Sequence, residues 1–580
     1  MREIVETASG AMHVEWDVPI TMSDNVVLRA DVFRPVGDTD VPVLLSYGPY
    51  AKGLPFQEGY AGAWEKLVSD HPDVSEGSSN RFQNWEVVDP ERWVPLGYAC
   101  VRVDARGCGR SPGYVDLWSD REVQDHYECI EWAGTQPWST GKVGLSGISY
   151  YAMNQWQVAA RRPPHLAAIC PWEGSSDWYR EVSHHGGILC TFCEHWYGMQ
   201  VVPLQHGNPR ETANPVNGLR VTGDDKLDDE ELAANRIDLA ATLRSAAFAD
   251  DVFYRRTPDL SRIEVPVLSA GNWGGAGLHL RGNVEGYLGA GSRQKWLEMH
   301  GLEHWTEYYT AYGRELQRRF FDHFLKGVDN GWDRQPPVLL RVRHVDGSFE
   351  DRAEHAWPLP STTWTDLYLD AATGTLGENL PESARQTYAE DAEGATFVLA
   401  AAERPIELTG PLAAKLFLSS DTDDADLFLV VRVFDPEGRE VTFVGAIDPH
   451  SPPTQGWLRA SHRELDPARS TPHRPFHPHL SRDPLTPGRV YEVDVEIWPT
   501  SLVLPPGYRL ALTVQGHDYE FEGATPERLS NIKNSMRGSG PFVHDDPVDR
   551  PVYGAARRAK VTLHTGGGTA SRLLVPFLRR

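Results

Sequence analysis

The sequence is poor in several things, and each shortage narrows what the chain can be. Its 580 residues hold only 6 cysteines, Cys100, Cys108, Cys129, Cys170, Cys190 and Cys193, all in the first third. A disulfide framework would need them spread along the chain, so a stapled secreted scaffold is excluded. No run approaches the ~20 apolar residues of a membrane span, and none is expected. The opening stretch MREIVETASGAMHVEW lacks the apolar core of a secretory signal, which leads us to expect a cytoplasmic protein. Basic residues are in deficit, 56 Lys and Arg against 81 Asp and Glu, for a formal net charge of -25. An acidic surface repels nucleic acid and anionic membranes, so neither is expected as a partner. Internal repeats, low-complexity tracts and the phosphate-binding patterns GK[ST] and GxGxxG are absent as well, so no cofactor is expected.

What is present fits a large globular protein. A chain of this length exceeds one hydrophobic core and predicts two or three units. From Val41 to about Gln335, short apolar runs alternate with helical stretches. VPVLLSY (41–47), YACVRVDA (98–105), KVGLSG (142–147), LAAICPW (166–172), VPVLSAG (265–271) and KWLEMHG (295–301) read as buried strands. Helices are expected at Asp120–Thr135 and Tyr151–Ala160. Strands alternating with helices predict a mostly parallel sheet covered on both faces. Residues 176–260 break the rhythm. They are charged and rich in Ala, Leu and Glu, and are read as a helical cap over the carboxyl ends of the strands, where such sheets bind ligands. The predicted α/β unit is therefore split into 1–175 and 261–335. From 336 to 580, short alternating runs separated by Pro, Gly and Asp predict an all-β sandwich.

One motif carries chemistry. Gly147-Ile148-Ser149-Tyr150-Tyr151-Ala152 follows the strand KVGLSG and precedes a helix. That strand–turn–helix context suits a nucleophilic serine, with its hydroxyl at a helix N-terminus where backbone N–H groups can stabilise an oxyanion. The alternative is a serine capping an ordinary turn. Ser146 falls inside the strand and ranks below Ser149. A serine needs a base, expected just past the last strand; His304 in HGLEHW fills that place, whereas His300 lies within the strand. The Tyr150 amide, directly after the serine, supplies one oxyanion donor. The second should come from the loop Gly48-Pro49-Tyr50-Ala51-Lys52, where Tyr50 could offer a phenolic O–H.

These pieces carry a family resemblance. PVLLSYGPYAK (42–52), DARGCGRSPG (104–113), IEWAGTQPWSTGKVGLSGISYYAMNQWQ (130–157), SDWYRE (176–181), FFDHFLKG (320–327), DADLFLVVRVFDPEG (424–438), GWLRASHRE (456–464) and LPPGYRLALTV (504–514) resemble, in order, the CocE/NonD serine hydrolases of the X-Pro dipeptidyl-peptidase superfamily, which include cocaine esterase-like enzymes. The resemblance implies an α/β-hydrolase domain with a helical cap and a C-terminal jelly-roll β-sandwich. It implies Ser149 as nucleophile, His304 as base and the Tyr50 hydroxyl as oxyanion donor, acting on esters or amides. One departure stands out. The family places its acid, an Asp, in the loop after the VPVLSAG-type strand, and here that loop reads Gly271-Asn272-Trp273-Gly274-Gly275-Ala276-Gly277 without a carboxylate. Glu173, Glu303 and Asp177 are the candidate substitutes, with Glu173 preferred because it directly follows a neighbouring strand. A pairing of Glu173 with Arg180 is the structural alternative, and a dyad with Asn272 or water in the acid's place is the other.

Other signals are set aside. Cys190-x-x-Cys193 beside His184, His185 and His195 is read as cap packing, because zinc wants four converging ligands and the pattern does not supply them; no metal is expected. His473, His477 and His479 are read as solvent-facing or interfacial. The expected protein is a serine hydrolase forming an acyl-enzyme with a small or medium ester or amide, as a monomer or homo-oligomer. An acyltransferase, an X-Pro dipeptidyl-peptidase and a catalytically inactive binding protein are the competing readings.

Overall fold

The computed structural model describes residues 1–7, 9–37, 40–523, 538–550 and 559–578. Three strands precede the first one expected from sequence: β1 (Arg2–Thr7), β2 (Gly10–Thr21) and β3 (Val27–Pro35). Their alternation of buried and exposed positions marks a sheet margin with one wet face. The apolar runs then form β4 (Val41–Gly48), β5 (Ala99–Asp104), β6 (Ser139–Ile148), β7 (Leu166–Trp172), β8 (Val267–Asn272) and β9 (Lys295–His300). The central ones are buried at every position, as sheets covered on both faces must be.

Pairing runs β1-β2-β3-β5-β4-β6-β7-β8-β9. From β5 to β9 all pairs are parallel. The chain moves outward from β4 to β5 and then crosses back to β6 on the other side of β4. That reversal opens a crevice at the carboxyl ends of β4 and β6, the usual place for a ligand in such sheets. Helices α1 (Asp120–Gly134) and α2 (Tyr150–Ala160) follow β5 and β6. Every residue of α2 is buried, so this helix is held by packing on all sides rather than by an amphipathic stripe.

The inserted segment is less helical than its composition predicts. Between residues 224 and 248, its most Ala- and Leu-rich part, it forms two short helices, α3 (Asp229–Ala234) and α4 (Leu239–Ser245). Asp228 and Asp238 accept hydrogen bonds from the first turns of these helices. Aspartates recurring every few residues favour caps over helix interiors, and so divide the run. Helix α5 (Leu280–Gly289) connects β8 to β9, and α6 (Ala311–Lys326) follows β9.

The sheet extends past residue 335. β10 (Val338–His344) pairs parallel with β9, and β11 (Phe349–Glu354) closes the edge antiparallel to β10. β10 also pairs, through Arg343 and His344, with Leu502 and Val503 of the second unit, so the two units share a strand. That second unit is antiparallel, built around β12 (Ile406–Ser420), β13 (Asp426–Phe434), β14 (Tyr491–Leu504) and β15 (Arg509–Gln515). Its own core contains Leu416, Leu429, Val495 and Leu512, and a further apolar cluster with Trp273, Trp357, Trp457 and Trp498 bridges the units. His477 and His479 are buried at this seam rather than facing solvent, where the Arg180 guanidinium donates to the His477 carbonyl. Among the described residues, no helix is long and apolar enough to cross a membrane.

Candidate active site

Ser149 sits between β6 and α2 with φ 58° and ψ -114°, a conformation unfavourable for a residue with a Cβ. Such backbone costs about 1–3 kcal/mol and persists only where the surroundings impose it. Here they do. The Ser149 amide donates to the carbonyls of Trp172 and Glu173, and the Ile148 amide donates to that of Glu86. A Cβ on Gly147 would lie 2.4 Å from the Tyr151 Cβ, so glycine is required before the turn. The small residue after the turn is Ala152, and its methyl faces Gly174, where a Cβ would come within 2.6 Å. Gly174 therefore makes room for the alanine. Ser149 itself remains half-buried and open to a pocket walled by Tyr50, Tyr60, Trp85, Phe192, Trp196 and Phe542.

Two histidines flank the serine. His279 Nε2 is 3.1 Å from Ser149 Oγ, and His279 Nδ1 is 3.1 Å from Ser175 Oγ. The Ser175 hydroxyl donates to the Leu278 carbonyl, so it receives the Nδ1–H of His279 and leaves Nε2 able to accept from Ser149. His304 stacks on His279 with ring centroids 5.4 Å apart. It does not bond to Ser149 as expected. Its Nδ1 meets Glu173 Oε2 at 2.9 Å and its Nε2 meets Glu86 Oε1 at 3.1 Å. Neither His279 nor Glu86 was singled out in the sequence. His279 lies in an unremarkable loop segment, and Glu86 is brought in by a φ of +62° that no residue pattern announces.

Of the three candidate acids, Glu173 alone contacts His304. Glu303 accepts from Thr306 and Lys66, and Asp177 pairs with Arg180. Glu173 follows β7 with φ +49°, which turns its side chain back across the strand ends. Its second oxygen is 3.0 Å from His300 Nε2 and 3.3 Å from Asn272 Nδ2. This accounts for the missing loop carboxylate. An Asp at 272 would set two buried anions against each other, whereas Asn donates to Glu173 and accepts the Gly274 amide.

The electrostatics form one coupled row. Burial alone would raise the Glu173 carboxyl, but His304 and His300 outweigh it and bring it down to about 2. Burial would lower His300, yet Glu298 and Glu173 hold it up to about 9. Burial likewise opposes charge on His304, and Glu173 with Glu86 raise it to about 10. Burial lifts Glu86 to about 7 despite the hydrogen bond from His304. His279, buried and beside His304, falls well below the usual imidazole range. The resting site thus holds a charged His304 between two carboxyl groups, next to a neutral His279.

Two candidate oxyanion donors lie nearby. The Tyr50 hydroxyl accepts the Trp196 indole N–H at 3.1 Å, which leaves its own proton for the pocket. Burial raises the Tyr50 phenol well above its ordinary value, so it remains a donor. The Tyr150 amide heads α2, where first-turn N–H groups have no intrahelical acceptor. Its side chain points away, donating to Glu122 at 2.6 Å. Ser146 is buried against Tyr308 and Gln317, away from the pocket. The second unit completes the site: the His304 amide donates to the Ala446 carbonyl, and Phe542 closes one wall.

Comparison with known proteins agrees with this arrangement. Residues 24–306 match the family model of the X-Pro dipeptidyl-peptidase (S15 family). Residues 330–574 match that of the X-Pro dipeptidyl-peptidase C-terminal non-catalytic domain. The cocaine esterase of Rhodococcus sp. (strain MB1 Bresler) is 27% identical, over 98% of this chain and 100% of that protein. A crystal structure of a CocE/NonD family hydrolase from Staphylococcus aureus is 31% identical and superposes with a TM-score of 0.83, covering 100% of this chain and 96% of that one. An α-amino acid ester hydrolase shares the fold at a TM-score of 0.66 and 16% identity, over 97% and 96% of the two chains. With a family-specific catalytic unit, its C-terminal non-catalytic domain and a whole-chain structural match, this chain belongs to the CocE/NonD serine hydrolases of the S15 family.

Proposed function

We propose that Ser149 is the nucleophile of an acyl-enzyme hydrolase for carboxylic esters or amides with small or medium apolar acyl groups. The strained Ser149 turn, open to an aromatic pocket and flanked by histidines, is the observation that carries this reading. In the reaction, Ser149 Oγ forms a bond to the acyl carbon while its proton passes to His304 Nε2. Glu173 orients the ring through Nδ1 and stabilises the imidazolium. The Tyr50 O–H and the Tyr150 N–H hold the oxyanion, an effect typically worth about 3–4 kcal/mol per donor. The imidazolium then protonates the leaving group. Water, deprotonated by the same ring, releases the acid and frees Ser149.

His304 must first leave Glu86, and the Ser149 hydroxyl must rotate from His279. The Glu86 proton affinity near neutrality suits this exchange, because a protonated Glu86 no longer holds His304 as a cation. The 3.1 Å contact of His279 with Ser149 favours a second reading, in which His279 is the base and Ser175 replaces the acid. Steady-state hydrolysis of a p-nitrophenyl ester separates them. His304→Gln is expected to lower kcat by about 10³-fold or more, and His279→Gln by about tenfold. The reverse order assigns the base to His279.

The finer architecture belongs to the same proposal. The parallel sheet is read as an α/β-hydrolase domain, residues 176–260 as its cap and the antiparallel unit as a jelly-roll. Glu173 as the triad acid, and a cytoplasmic site of action, are further parts of it. The aromatic pocket and the acidic surface suit a small-molecule ester or amide over a polyanion.

A further inference from the structure

Behind the pocket wall, His185, Cys190 and His544 converge, with one ligand atom from each lying within 4.8 Å of the others. All three residues are fully buried, at 1%, 1% and 0% exposure. His185 and Cys190 come from a tight hairpin in the inserted segment, His184–His185 against Ile188–Leu189, and His544 comes from the second unit. The CxxC pattern does not form the cluster, since Cys193 turns its sulfur to the Val182 carbonyl.

The hydrogen bonds around the two rings leave a gap in charge. His544 Nδ1 is 2.7 Å from Asp518 Oδ1, and Asp518 also accepts the His544 amide. A carboxylate so placed takes the Nδ1–H and leaves His544 Nε2 with a lone pair. His185 Nε2 is 3.1 Å from the Glu181 carbonyl, which can only accept. The Gly277 carbonyl also faces the His185 ring, and it too can only accept. With both rings neutral, either His185 Nδ1 and His544 Nε2 meet lone pair to lone pair at 2.9 Å, or His185 donates there and turns a lone pair on the Glu181 carbonyl; each tautomer leaves one contact between two acceptors. A cation belongs between the rings.

We propose that His185 Nδ1, His544 Nε2 and Cys190 Sγ bind a thiophilic d¹⁰ metal ion as a structural centre: Cu(I), which three ligands satisfy, or Zn(II) with one further donor. Each histidine gives its far nitrogen to an oxygen acceptor, Asp518 in one case, as metal-bound imidazoles do. Two imidazoles and a thiolate select soft or borderline metals over Mg(II) or Ca(II). Metal–nitrogen bonds of about 2.0–2.1 Å and a metal–sulfur bond of about 2.3 Å require the two nitrogens to part slightly from 2.9 Å and the Cys190 side chain to draw in, since the three ligand atoms now spread over as much as 4.8 Å. The centre would pin the pocket: Phe192 lies two residues from Cys190, Phe542 two residues from His544, and the two rings pack 5.1 Å apart as substrate-pocket walls.

The test is metal content of the full chain. The protein is produced in medium supplemented with Zn(II) or with Cu(I)-generating copper, passed over chelating resin, and assayed by mass spectrometry of the elements. About one equivalent of one metal per chain is expected, falling below ~0.1 in Cys190→Ser and unchanged in Cys193→Ser. Protein produced with Co(II) should show a thiolate-to-metal absorption band that Cys190→Ser lacks. Less than ~0.1 equivalent in every medium, with native circular dichroism, overturns the proposal and assigns a shared proton to the two rings. Stoichiometric metal that Cys190→Ser retains overturns it as well.

Discussion

Glu86 is one of two carboxyl groups that hold His304, the proposed base, in its charged form. It faces His304 Nε2 at 3.1 Å and, with Glu173, keeps the imidazolium charged against the pull of burial. Glu86→Gln removes one of the two anions, so the His304 pKa must fall. The acid limb of the kcat/KM–pH profile should move to lower pH by one unit or more, about 1.4 kcal/mol per unit. An unmoved limb, or one moved upward, contradicts the role given to Glu86. Asn272 supports a second prediction. In Asn272→Asp the new carboxyl faces Glu173, so its folded-state pKa rises above its unfolded value. The penalty is then absent below pH ~4 and grows as pH rises, reaching about 1–3 kcal/mol near neutrality. Urea denaturation at pH 4 and pH 7.5 measures it. That Ser149, Glu173 and His304 stand just past strand ends was legible from the strand pattern, while Tyr50 was singled out through the family resemblance; the catalytic roles given to them are proposals. His279 and Glu86 were not legible, because a loop histidine and a left-handed glutamate carry no periodic signal.

At the scale of elements, the Ser149 turn depends on the fit between α2 and the loop after β7. A Cβ at residue 174 would stand 2.6 Å from the Ala152 Cβ and 3.0 Å from its backbone. Gly174→Ala should therefore push α2 and with it Ser149, lowering activity and stability together. Ala152→Gly in the same chain removes the shortest contact and should restore part of both, a coupling of about 0.5–3 kcal/mol in a double-mutant cycle. Independent, additive effects would mean the two do not meet. The strands and α2 were legible because buried parallel strands read as short apolar runs bounded by glycine or proline. The inserted segment was overread as helix: its alanines and leucines favour helix, but Asp228 and Asp238 cap and divide it. The first three strands escaped notice because their margin pattern mixes polar and apolar residues.

For the whole molecule, Arg281 ties three parts together. From α5 it pairs with Glu181 of the inserted segment at 2.8 Å and with Glu496 of β14 at 3.0 Å, and its side chain is 5% exposed. Arg281→Leu leaves the fully buried Glu181 uncompensated and should cost about 3–5 kcal/mol. A smaller loss, below ~1 kcal/mol by denaturant unfolding, would show that the units are not held through this residue. The seam itself was hidden in the sequence, since β10 serves both units and no linker of Gly, Ser or Pro separates them.

All of these scales converge on one serine. A fluorophosphonate probe reacts with an activated serine and stays bound to it, so peptide mapping of the labelled native protein tests the account most directly. A single adduct on Ser149, lost when the protein is denatured before labelling, is the predicted result. No adduct in native protein, or an adduct on Ser146 or another serine, would contradict it.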